Sequence, residues 1–146
     1  MVSMPIDIPY HKNELKYKEY LEEDPNNVIY NNKLGKFYMA EHRYEEAKIF
    51  FRLSIENEKD NYFIEARIDL AKLYYLTEDY FNSMVYCYEI IRFDPNISEA
   101  YNIMGLINLT YCNNLIASKL YFQKAVDLDP DNLNAKNNLK LSIINF

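Results

Sequence analysis

At 146 residues, with 49% hydrophobic and 16% aromatic residues, the chain is long enough and apolar enough to bury one core without disulfide or metal staples. Two glycines and five prolines exclude a fold built from tight turns and hairpins. The formal charge of −6 argues against a nucleic-acid backbone or an anionic membrane surface as partner.

The N-terminal stretch "MVSMPIDIPYHKNE" lacks the apolar run of a signal peptide, and no uninterrupted apolar segment is long enough to span a bilayer. The expectation is a soluble, cytoplasmic protein. Cys87 and Cys112 form no C-x-x-C motif and read as free thiols in a reducing compartment. "NIS" at 96–98 and "NLT" at 108–110 match the glycosylation pattern, as chance matches in an Asn-rich chain without a secretion signal.

Taken in chain order, the alternating Lys and Glu of "HKNELKYKEYLEED" predict a solvated helix over about 11–23, inside an N-terminal segment 1–26. Helix pairs follow at about 27–40 and 43–57, 61–77 and 80–92, and 97–111 and 114–127. A last helix runs over about 132–145. Asp24-Pro25, Asp94-Pro95 and Asp129-Pro130 stop the preceding helices, because the residue before proline is pushed out of helical geometry.

These prolines are periodic. Pro95 and Pro130 are 35 residues apart, and Pro25 lies 70 before Pro95, so one marker is missing; the polar run "ENEKDN" near Lys59 stands in its place. In the same phase Leu34-Gly35, Leu70-Ala71 and Met104-Gly105 align, followed by Tyr38, Tyr74 and Asn108. Then come Tyr44, Tyr80 and Leu115, the small residues Ala47, Ser83 and Ser118, the larger Phe51, Cys87 and Phe122, and Ser54, Ile90 and Ala125. A glycine inside a helix costs about 1 kcal/mol relative to alanine, so both glycines of the chain need a packing reason. Gly35, Ala71 and Gly105 are expected to let each helix pair cross closely, facing Ala47, Ser83 and Ser118.

This series resembles the tetratricopeptide repeat, with its Trp, Leu-Gly, Tyr, Ala-x-x-x-Phe and Pro over about 34 residues. The Trp position holds Asn31, Arg67 and Tyr101, and "YCNNLI" carries one extra residue in the third turn. The resemblance implies an all-α fold, a right-handed superhelical solenoid of antiparallel helix pairs. Its three repeats would cover about 27–61, 62–97 and 98–131, with a capping helix at 131–146.

Catalytic and metal constellations are not evident, and no cofactor is expected. His42 lies in a turn beside Glu45 and Glu46 without a second histidine, and His11 stands alone in a charged helix. Cys87 takes the place of Phe51 and Phe122 and reads as buried and inert. Cys112 lies in a turn without an evident base. The fifteen tyrosines fall mostly at packing positions.

The resemblance implies function on the concave surface, lined by the first helix of each pair. The matching residues are Ile29, Asn32, Lys36 and Met39; Glu65, Ile68, Lys72 and Tyr75; and Glu99, Asn102, Leu106 and Leu109. The last helix is expected to add Asn137, Leu141 and Ile144, while Leu139, Ile143 and Phe146 pack back on the third repeat. Leu141 and Ile144 beside Leu106 and Leu109 form either a partly apolar groove or the seal of the solenoid's end. The clamp that grips heat-shock chaperone C-termini would fall on Asn32, Lys36, Asp69, Glu99 and Ile103. Two acidic residues and one apolar residue there do not suit a carboxylate.

The expected function is therefore a non-enzymatic interaction module, an adaptor, scaffold or small chaperone, holding a protein or peptide partner. The alternative is a structural subunit that self-associates, as a homodimer, through its apolar C-terminal helix.

Overall fold

The computed structural model describes the backbone of residues 8–59 and 63–144, and side chains from residue 12 onward within those limits. All its regular structure is helical: α1 (Ile8–Glu23), α2 (Val28–Ala40), α3 (Tyr44–Glu56), α4 (Ile64–Leu76), α5 (Tyr80–Phe93), α6 (Ser98–Thr110), α7 (Leu115–Leu128) and α8 (Leu133–Ile144). Each helix starts and ends within three residues of the span read from the sequence. The chain divides into two compact units, 1–66 and 67–146.

Local chemistry sets the helix ends. The side chains of Asn27, Asp79, Asn114 and Asn132 accept hydrogen bonds from backbone N–H groups two or three residues ahead, at 3.0–3.2 Å, which satisfies donors the helix leaves open. At the Asp-Pro turns, Asp94 accepts from the Asn96 N–H and Asp129 from the Asp131 N–H, at 2.9 and 3.0 Å. Where the proline marker is missing, α3 still ends at Glu56, and Glu58 accepts the Phe63 N–H at 2.7 Å.

The position that departs from tryptophan is used to tie these turns down. The Asn31 amide donates to the Pro25 carbonyl at 3.0 Å, and the Tyr101 hydroxyl donates to the Pro95 carbonyl at 2.8 Å, each reaching back six residues. Arg67, where no proline precedes it, is buried and donates instead to Glu89 at 3.2 Å.

The turns within the helix pairs share a second device. His42, Glu78 and Asn113 are in the left-handed region, with φ of 58°, 61° and 50°. After α2 the Arg43 N–H bonds to the Tyr38 carbonyl and the His42 N–H to the Met39 carbonyl. After α4 the Asp79 and Glu78 N–H groups repeat the pattern on Tyr74 and Tyr75. This pair of hydrogen bonds closes a helix when the next residue turns left-handed. The third turn carries the extra residue, and there the Asn114 N–H reaches back to the Asn108 carbonyl at 2.8 Å.

In the first unit α2 packs antiparallel on α3 around Leu34, Phe37, Tyr38, Ala47 and Phe51, all buried. Helix α1 is joined to α2 by the Tyr38 hydroxyl, which donates to Glu14 at 3.0 Å, and by the stacked rings of Tyr20 and Tyr30 at 4.4 Å. Lys36 pairs with Glu65.

In the second unit α4 pairs with α5 and α6 with α7, while α8 packs on α6 and α7. The core gathers Ala71, Cys87, Ile103, Met104 and Ile107. The Ser83 hydroxyl donates to the Ala71 carbonyl at 2.7 Å, and its counterpart Ser118 is buried with no hydrogen-bond partner for its hydroxyl among the described residues.

The glycines serve the close crossing that the spacing suggested, but their nearest partners are phenylalanines and not the small residues expected. A Cβ added at Gly35 would lie 2.6 Å from the ring of Phe51, and one added at Gly105 would lie 2.5 Å from the ring of Phe122. The phenylalanine one turn beyond Ala47 or Ser118 fills the missing side chain's place. A flat ring reaches farther across the helix crossing than a small side chain does.

Candidate functional site

The second unit carries a groove of about 360 Å³ between the first helix of each of its two pairs and the closing helix. One wall is α4, with Lys72, Tyr75 and Leu76; the floor is α6, with Glu99, Asn102, Ile103 and Leu106; the other wall is α8, with Asn134, Asn137 and Asn138. Helical spacing explains the grouping. Residues three and four apart share a face, so Lys72, Tyr75 and Leu76 line up on α4 and Glu99, Asn102, Ile103 and Leu106 on α6.

Hydrogen bonds between helices hold the groove's polar floor. Lys72 Nζ lies 3.1 Å from Glu99 Oε1, while the Asn132 amide donates to Glu99 Oε2 at 3.2 Å. The Asn138 amide donates to Asn102 Oδ1 at 2.9 Å, so α4, α6 and α8 are linked by one row of polar contacts. Tyr75 stands at the edge of an aromatic run, 5.7 Å from the Tyr80 ring, which stacks in turn on Tyr111 at 5.0 Å.

Of the residues singled out in the sequence, Lys72, Tyr75, Asn102, Leu106, Glu99 and Asn137 come together in this groove. Ile68 and Leu109 are half-buried on the same helices without lining it. Leu141 and Ile144 are exposed, 55% and 74%, and lie outside it. Helix α8 buries Ala135 and Ser142 and offers asparagines to the groove, so that wall is polar where the sequence suggested an aliphatic one. Leu139 and Ile143 instead line a separate depression with Ile116 and Leu120 of α7, and Phe146 lies outside the described residues. In the first unit Asn32 is buried, Met39 is half-buried, Ile29 is exposed, and Lys36 and Glu65 pair with each other.

Asn134, Asn138 and Leu76 were not legible as lining residues. The one signal for the two asparagines is the asparagine density of "NLNAKNNLK", which has no orientation until Ala135 and Ser142 fix which face of α8 is packed.

The residues with chemical potential are placed as follows. Cys87 is fully buried, and burial, with the nearby charge of Glu99, pushes its thiol up to about 12. Cys112 is exposed in the α6–α7 turn. The exposed His42 ring bonds to the Tyr44 hydroxyl at 2.8 Å, and the side chain of His11 lies outside the described residues. No cluster of three or more His, Cys, Asp or Glu suited to a metal occurs among the described residues, and no helix there is long and apolar enough to cross a membrane.

The tetratricopeptide repeat family profile matches residues 29–61 and 98–132. The protein O-mannosyl-transferase TMTC3 of Homo sapiens is 26% identical over 120 residues, 82% of this chain; the chain spans 13% of that protein's length. Among solved structures, MamA from Desulfovibrio magneticus superposes with a TM-score of 0.75 at 18% identity, covering 93% of this chain and 75% of that one. The first tetratricopeptide domain of Spaghetti (RPAP3), bound to an HSP90 peptide, superposes with a TM-score of 0.70 at 18% identity, covering 84% and 94%. The glycine–phenylalanine crossings, the left-handed turns at one position in each pair and these matches agree: the chain is a tetratricopeptide-repeat protein, with about three repeats and flanking helices.

Proposed function

We propose that the protein is a non-enzymatic interaction module, an adaptor, scaffold or small chaperone, that holds a segment of a partner protein in the groove between α4, α6 and α8. The observation that carries this reading is the groove itself. An apolar strip of Tyr75, Leu76, Ile103 and Leu106 is flanked by fixed polar groups, the arrangement that gives a binding cleft both grip and orientation. The repeat family supports it as a protein-binding architecture, and the RPAP3 neighbour was solved with a peptide bound.

The transferase activity in the name of the human relative is not carried over. The match covers a small part of that protein, and the two charged side chains lining this groove, Lys72 and Glu99, engage each other. Nor do we assign a chaperone-tail clamp: Asp69 and Glu99 would repel a terminal carboxylate, and Ile103 offers it no donor.

The test is affinity capture from a lysate of the source organism with wild type and a Tyr75→Glu, Leu106→Glu double variant, both checked by circular dichroism. A partner held by wild type and lost by the folded variant supports the groove. Identical partners on both remove it.

A second reading rests on exposed Leu141, Ile143 and Ile144 of α8, which could pair with another copy of the chain. Light scattering after gel filtration decides it. A dimer that Leu141→Glu converts to monomer supports self-assembly, and a wild-type monomer ends the idea.

A further inference from the structure

Helices α7 and α8 enclose a depression of about 380 Å³ that shares no lining residue with the groove. Ile116, Lys119, Leu120 and Gln123 form its α7 side, and Leu139 and Ile143 its α8 side. Each set recurs at steps of three and four, so two apolar ridges run beside each other along neighbouring helices. Ile116, Leu120 and Ile143 are 74%, 68% and 56% exposed. The core does not use these residues: α7 buries Ser118, Phe122 and Ala125, and α8 buries Ala135 and Ser142.

Charge narrows what fits this surface. The chain carries a net charge of −6, yet residues 112–126 and 132–146 contain Lys119, Lys124, Lys136 and Lys140 and no Asp or Glu. Lys119 lines the depression. Lys136 and Lys140 each stand three residues before an apolar lining residue, Leu139 and Ile143, on the same side of α8. Asp127, the carboxylate of α7, does not line it and accepts from the Gln123 amide at 2.8 Å.

A lysine-rimmed apolar trough disfavours two occupants. A second copy docked by two-fold symmetry presents the same patch to itself, which sets lysine against lysine. An anionic bilayer attracts the lysines but repels a chain of net charge −6, and its headgroup plane does not match a concave surface. An amphipathic helix lays one apolar stripe into the trough between two others and carries charge on both flanks.

We infer that the α7–α8 depression docks an amphipathic helix of a partner protein. Its apolar residues at i and i+4 seat between Leu120 and Ile143, and its flanking Asp or Glu residues face Lys119, Lys136 and Lys140. The apolar seat supplies affinity, while the lysines set orientation and reject basic helices. This site stands independently of the groove between α4, α6 and α8.

The experiment selects a phage-displayed helical-bundle scaffold, with one helix face randomised, on the whole protein after depletion on the Leu120→Glu variant. The enriched binder is then measured by fluorescence anisotropy. Its randomised face is expected to carry apolar residues at i and i+4 flanked by Asp or Glu. Lys136→Glu with Lys140→Glu should weaken it about three- to thirtyfold, as for two lost exposed ion pairs. Changing the binder's flanking carboxylates to Lys should make it prefer that lysine variant over wild type, a reversal that misfolding cannot produce. Tyr75→Glu, in the groove, should leave binding unchanged.

No enrichment, enriched sequences without acidic flanks, or a lysine variant that binds as wild type does each overturn the inference and leave the groove untouched. Loss with Tyr75→Glu assigns the binder to the groove and overturns it too. Light scattering, and flotation with vesicles of equal parts phosphatidylcholine and phosphatidylserine, test the two disfavoured occupants. A dimer or a lipid-bound protein that Leu120→Glu abolishes overturns the partner helix in favour of that occupant.

Discussion

The ring of Phe122 occupies the space that a side chain at Gly105 would need: a Cβ built there would sit 2.5 Å from Cδ1 and Cε1 of the ring. Phe51 stands in the same relation to Gly35, at 2.6 Å. In the middle repeat the first member is Ala71, which has a Cβ, and the second shrinks to Cys87, both fully buried. A larger first member goes with a smaller second one, as a close-packed crossing requires.

Gly105→Ala is therefore expected to destabilise the protein by about 1–3 kcal/mol, although alanine is the better helix former, because Phe122 is fully buried and cannot withdraw. Urea denaturation measures it. The companion experiment is a cycle in the middle repeat: Cys87→Phe alone should overpack the crossing, and adding Ala71→Gly should recover about 1 kcal/mol or more. Simple additivity would refute the pairing.

Glu78 has a φ of 61°, a conformation that costs a residue with a Cβ about 1–2 kcal/mol. Glu78→Gly should raise stability by about 0.5–1 kcal/mol once glycine's extra freedom in the unfolded chain is subtracted. The β-branched Glu78→Val should lower it. Asn113 already tolerates this geometry, so Asn113→Gly should change the thermal midpoint less.

Glu14 accepts from Tyr38 at 3.0 Å and pairs with Lys18 at 2.7 Å. The Lys18 hydrogen bond, with those of Tyr38 and the charge of Arg43, outweighs burial and holds its carboxyl below the ordinary value of 4.5. A carboxyl with a depressed folded pKa adds stability that is fully present above its unfolded value and is lost as pH falls through the folded one. Glu14→Gln should thus lower the denaturation midpoint at neutral pH, and the gap from wild type should narrow below about pH 4.5. A gap that stays constant into acid would show that the charge contributes nothing.

The two cysteines should separate cleanly under a thiol reagent at pH 8. Cys112 is exposed and should label in the native protein at an ordinary rate, whereas Cys87, buried and pushed up to about 12, should label only when the chain unfolds. Unusually fast modification of Cys112 would reopen the case for covalent chemistry, and native labelling of Cys87 would contradict the core described above.

The sequence by itself determined the helices, their pairing and the repeat phase, because each rests on local chemistry repeated in register. Asp-Pro steps end helices through steric exclusion, Asn and Asp side chains start them, and small and large residues recur about every 35 positions. It also placed Cys87 in the core and Cys112 in a turn. What it could not decide is which atoms meet across a crossing. The glycines were assigned to face small residues, and only the packed helices show that Phe51 and Phe122 reach them. The closing helix makes the same point. Its five leucine and isoleucine residues outnumber its three asparagines, and either set could have faced α6. The tight seats of Ala135 and Ser142, together with the Asn138–Asn102 hydrogen bond, turn the asparagines to the groove and leave Leu141 and Ile144 outside it. Rotation of a helix about its own axis is set by side-chain volumes on its neighbours, and that information lies in other segments of the chain.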